Sequence, residues 1–168
     1  QALIKNPEQA EQYTIEKEAK QQQLRDDFRF IANANVGGEF MNTEDVARIH
    51  QLGKITWQRH FDDRLGLSPI EELRYSNTPI TLPVTEHLLS DKPSHIIAHD
   101  KPIHYDESLG IKIQPTEHRA NLGEVYNLVI SRGTLTAEDR FKINEHIIST
   151  IKMLDRLPFP AELAKVPR

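Results

Sequence analysis

Apolar residues keep a helical period in some stretches of this chain and lose it in others. Asn6-Pro7-Glu8-Gln9 reads as a helix start, with Asn6 as cap and Pro7 at the first helical position. From Pro7 to about Asn33 there is no glycine and no further proline. The apolar face is weak at first, with Ala10, Tyr13 and Ala19. It firms up at Leu24, Phe28 and Ile31, which follow the i, i+4, i+7 rule. The pattern predicts one long helix, solvated in its first half and packed in its last turns, ended by Gly37-Gly38.

A second helix is predicted from Asn42 or Thr43 to about Gly66, with Val46, Ile49, Gly53, Trp57 and His60 on one face. Ser68-Pro69-Ile70-Glu71 starts a short third helix with a capping box. From Asn77 to Pro115 the period vanishes under five prolines: Pro79, Pro83, Pro93, Pro102 and Pro115. There His95–Ala98 and Ile111–Ile113 are the candidates to pair as a two-stranded hairpin. Thr116 opens a fourth predicted helix carrying Leu122, Val125, Tyr126 and Val129. Thr136-Ala137-Glu138-Asp139 caps the clearest one, with Ile143, Ile147, Ile151 and Leu154 as its stripe. The fold class is therefore mainly α, with an irregular proline-rich excursion.

Composition narrows the chemistry. The 21 Lys and Arg against 25 Asp and Glu give a net charge of -4, with no basic run of the kind that binds DNA or RNA. The absence of cysteine excludes disulfides, thiolate metal sites and a cysteine nucleophile. No apolar run approaches the roughly 18–20 residues that span a bilayer.

Histidines are the remaining candidates. His146 falls about 60° from Ile143, at the margin of the predicted buried arc, where an imidazole can turn inward with one nitrogen available. His95 and His99, near Asp100, His104 and Asp106, would lie about 13 Å apart in an extended strand, too far to share an ion. His60 with Asp62, Asp63 and Arg64 reads as structural ion pairing. His50-Gln51-Leu52-Gly53-Lys54 imitates a His-Asp-x-Gly-Lys metal motif, but Gln51 is neutral and cannot bridge cations. Arg132 and Lys142 are single cations that could meet a phosphate. No phosphate loop, zinc helix or nucleophile elbow is present.

The run from Asn121 to His146 resembles one stretch of the HD-GYP family, metal-dependent phosphohydrolases of the HD superfamily found in bacteria. Gly133, Leu135, Thr136, Glu138, Asp139 and Arg140 match the family's turn, and His146 falls on a metal-binding histidine. Met153–Leu163 and Trp57–Ser68 are similar to a subgroup with a long insertion. The resemblance spans about two-thirds of the chain, Gly37 to Pro167. It implies an insertion over residues 1–115 and part of the HD-GYP core over 116–168. It further implies an internal fragment whose other motifs, a His-Asp pair, a His-His-Glu pair and Gly-Tyr-Pro, lie outside.

The activity implied by the resemblance is hydrolysis of a cyclic dinucleotide of the cyclic di-GMP type. Fe or Mn type divalent ions would activate the water, with His146 the sole ligand in this chain. The fragment alone would be inactive and hold no metal tightly, because a catalytic metal needs at least three protein ligands. A cytoplasmic location is expected, with any membrane anchor in other segments. The rival reading is a regulatory or protein-interaction module. The polar first helix has little of its own to hold it in place, and a homodimer through it is the expected form.

Overall fold

The computed structural model describes residues 10–75, 79–105, 110–160 and 162. The proposed cap at Asn6 and Pro7 lies outside them, as do Asp106 of the histidine-rich set and the end of the Met153–Leu163 run.

Helix α1 runs from Ala10 to Val36 and ends where the Gly37 N–H meets the Ala34 carbonyl at 3.0 Å. Gly37 has φ +76, a left-handed value that suits glycine. The predicted packing of its last turns is only partial: Asp27 pairs with Arg48 at 3.0 Å, that guanidinium covers Phe30, and Ile31 is half-buried. No residue of α1 is buried, and Phe28 is 77% exposed. The Leu24, Phe28 and Ile31 face opens onto an apolar trough of about 350 Å³, walled by Leu52, Ile55, Leu88 and Leu89. Strand β1 (Gly38–Phe40) follows.

Helix α2 spans Thr43–Gly53, and the Asn42 side chain caps it by accepting the Asp45 N–H at 2.7 Å. It stops well short of the predicted end at Gly66. Ile55, Thr56 and Trp57 are β-branched or aromatic, and they turn the chain into strand β2 (Thr56–Arg59). Trp57 and His60 consequently leave the helical face assigned to them, and both are exposed. Ile49, Leu52 and Gly53 are buried. Helix α3 (Pro69–Glu72) has the expected capping box between Ser68 and Glu71.

The proline-rich excursion does form strands, but not the expected pair. Strand β3 (Val84–His87) runs antiparallel to β2, with Trp57 opposite Glu86 and Arg59 opposite Val84. A 3-10 turn (Pro93–His95) leads into β4 (Ile96–Ile97). That strand pairs with β5 (Ala120–Asn121) instead of with Ile111–Ile113. The predicted fourth helix shrinks to α4 (Glu124–Leu128), since β5 claims its first turn and leaves Leu122 51% exposed. Strand β6 (Arg132–Gly133) pairs with β1, and α5 covers Ala137–Asp155. The fold is thus largely helical, with three two-stranded antiparallel ladders among the described residues. Its core is thin: among the described residues, Ile49, Leu52, Leu128, Phe141 and Ile148 are the buried hydrophobics.

Candidate functional site

The site is built on α5 and the turn before it. Gly133 takes φ +74, which brings the chain round after β6. One Arg140 Nη2 donates to the Arg132 carbonyl at 2.6 Å, tying the turn to the first turns of the helix. Thr136 caps α5: its Oγ1 accepts the Asp139 N–H at 3.1 Å, and Asp139 takes the Thr136 N–H at 3.2 Å. Asp at this position performs the reciprocal bond usually given to Glu.

Behind the cap stands a pair that periodicity did not single out. Tyr126 Oη donates to Glu138 Oε2 at 2.8 Å, and Glu138 is only 9% exposed. Burial raises the Tyr126 phenol above its ordinary value, and the bond to Glu138 adds to the effect. The sequence signal was present in the Glu of the capping turn, but a first-turn carboxylate ordinarily faces water.

The buried face of α5 carries Glu138, Phe141 and Ile148. The predicted stripe lies elsewhere: Ile143 is 51% exposed and Ile147 57%. At 100° per residue the two faces differ by roughly 140°. The cause is the excursion, which folds onto the other side of the helix. The His99 ring meets Phe141 edge-on, with centroids 6.3 Å apart, while its Nε2 lies 2.9 Å from the Thr116 carbonyl. Lys152 Nζ sits 5.2 Å from the centroid of the Tyr105 ring. A large aromatic outcompetes isoleucine for the covered position.

His146 shares the open side of α5 and is exposed, so the expected inward turn of its imidazole is not observed. Its backbone carbonyl accepts the Thr150 hydroxyl at 3.0 Å. Apolar neighbours on both sides, Ile143 and Ile147, are open with it.

The other histidines stand apart. His95 Nδ1 accepts the Lys92 N–H at 3.2 Å. His50 and Gln51 lie exposed on α2, and His60 is exposed after β2. Asp62 is paired with Arg64 at 2.7 Å, and hydrogen bonds from that guanidinium and from the Arg64 N–H hold its carboxyl at about 2. Asp63 belongs to a second cluster. Arg59, 5% exposed, reaches Glu86 at 2.9 Å and Asp63 at 3.3 Å, and Lys92 reaches the same carboxylates at 3.0 and 3.1 Å. Arg59 Nη1 also donates to the Phe61 carbonyl. Two cations and two carboxylates compensate one another and clamp the β2–β3 ladder to the 3-10 turn. They form a structural pairing, as the sequence suggested for Asp63. Among the described residues no group of three or more His, Asp or Glu comes together that could hold a metal ion. The chain as described therefore does not fit a complete metal centre.

The HD domain family matches residues 83–168, just over half of the sequence. The chain belongs to the HD domain family. That family is in general one of metal-dependent phosphohydrolases. The matched region runs from β3 through the excursion to the end of the chain and includes all of α5 with His146. No match was found among curated proteins, and none among solved structures. Among the described residues no helix is long and apolar enough to cross a membrane.

Proposed function

We propose that this chain is part of an HD-GYP type phosphodiesterase that hydrolyses a cyclic dinucleotide of the cyclic di-GMP class. The observation that carries the reading is the turn Gly133-Thr134-Leu135-Thr136 leading through a complete capping box into a helix with His146 on its open side, inside the region matched by the HD domain. His146 is the ligand this chain offers to a divalent ion of the Fe or Mn type. One imidazole cannot hold a catalytic cluster, so the remaining donors come from elsewhere in the polypeptide and the chain by itself is inactive. The open apolar surface beside His146, formed by Ile143 and Ile147, supports the same reading, since a ligand on a bare helix face needs a wall to dock against it. No step through the metal follows from the residues in hand.

The test is an assay of the complete gene product with Mn on cyclic di-GMP, repeated with His146→Ala. Loss of about 100-fold or more in rate is expected. An undiminished rate in the variant removes His146 from the metal.

A second reading rests on a different observation. No residue along the 27 of α1 is buried, which favours a role for that helix in binding a second copy of the chain. Light scattering decides it: a dimer that Phe28→Glu converts to monomer supports the reading, and a strict monomer at high concentration ends it.

A further inference from the structure

At the C-terminal end of α1 the chain forms a cleft of about 310 Å³ that the proposed phosphodiesterase chemistry does not use. It lies between the last turns of α1, strand β1, the start of α2 and the end of α4. Two phenyl rings, Phe30 and Phe40, line it. One face of Phe30 is covered by the Arg48 guanidinium, 4.2 Å from the ring centroid. Phe40 is 73% exposed, an apolar surface left in contact with water.

The polar groups of the cleft keep free hydrogen-bonding capacity. Asn33 and Asn35 line it, and their carboxamides make no hydrogen bond among the described residues. Asn127 spends its Nδ2 on the carbonyls of Asn121, at 3.0 Å, and Gly123, at 2.7 Å, which leaves its oxygen to accept. Asp45 Oδ2 takes a bond from Asn42 Nδ2 at 2.9 Å, and its other oxygen remains. Arg132 does not line the cleft, but its guanidinium lies over the Phe40 ring, 5.5 Å from the centroid, with no carboxylate partner among the described residues. One wall must be bare backbone: a Cβ at Gly37 would stand 2.7 Å from Thr134 Cγ2.

Each feature answers one part of a nucleotide. Exposed phenyl faces stack on bases. Carboxamides and carboxylates read the donors and acceptors along a base edge. A guanidinium without a partner binds a phosphate. The volume is at the small end of the range for ligand pockets, which suits one nucleotide. A purine offers the larger stacking face. We infer that this cleft binds a purine nucleoside monophosphate, its base against Phe40 and its phosphate toward Arg132. Neither His146 nor a metal enters the argument, so this site and the proposed hydrolytic one stand or fall separately.

The probe is GMP, titrated into the chain in EDTA and followed by calorimetry and by amide chemical shifts. Saturable binding below about 1 mM is expected, with shifts at Asn33, Asn35, Gly37 and Gly38. Phe40→Ala weakens it about 10-fold. Gly38→Leu is expected to abolish it: Gly38 lines the cleft, and a Cβ there meets no atom within 4 Å, so the added side chain enters open space and the variant folds. UMP binds more weakly, and inorganic phosphate does not compete. Absence of saturable binding, binding untouched by Gly38→Leu, shifts confined to other residues, or equal competition by inorganic phosphate would each overturn the inference.

Discussion

The Tyr126 hydroxyl donates a 2.8 Å hydrogen bond to Glu138, joining α4 to the first turn of α5. Glu138 is nearly buried, so this bond is what makes a carboxylate tolerable there. Tyr126→Phe leaves the carboxylate without that donor. The expected cost is about 2 kcal/mol, read from a urea titration. The phenol's folded value lies above its ordinary 10.0. Its contribution is therefore complete below pH 10 and disappears as the pH rises through the folded value. The wild type should lose stability at strongly alkaline pH by a step that the Phe variant lacks.

Acid should act through a different group. Burial opposes ionisation of Glu86, but hydrogen bonds from Arg59 and Lys92 outweigh it and hold the carboxyl below its ordinary 4.5. A depressed folded value contributes stability that is complete above pH 4.5 and is lost as the pH falls through the folded value. Glu86→Gln should flatten the acid limb of the stability curve. Arg59→Met, which strands two carboxylates on Lys92 alone, should cost about 3 kcal/mol at neutral pH. Combined, the two changes should cost less than their sum, because each removes the same bonds.

Close packing around α4 gives a steric prediction. Asp91 Oδ1 accepts the Tyr126 N–H at 3.2 Å, and a Cβ at Gly123 would fall 2.4 Å from that oxygen and 2.9 Å from Asn121 Oδ1. Gly123→Ala should lower stability by about 1–3 kcal/mol. The double variant with Asp91→Ala makes room and should lose less than the two single changes together.

His146→Ala should leave the folding stability of the chain within about 0.5 kcal/mol of wild type, since the ring is exposed. A larger loss in thermal or urea unfolding would assign the imidazole a structural role instead.

Local signals were legible where they were self-contained. The boxes at Ser68 and Thr136 need only four residues each, and both formed as the sequence indicates. The Ile49 and Gly53 positions on α2 are buried as their spacing implies. What periodicity could not supply was which side of a helix a distant segment would cover. Phe141 and Ile143 are near neighbours on α5, and the choice between their faces was made by His99 and Tyr105, far earlier in the chain. Length was misjudged for a similar reason. Ile55, Thr56 and Trp57 fit either a helix or a strand until β3 arrives to pair with them. The orientation of His146 was lost with the face of α5, whereas its position on that helix came directly from the turn that precedes it.

Helix α5 carries Phe141, gripped by the excursion, and His146, further along and facing away. A rod of 19 residues, about 28 Å long, transmits rotation along its whole length. Phe141 and His146 sit on opposite sides of that one rod, so the seating of the His99 ring on Phe141 also sets the direction in which the imidazole faces.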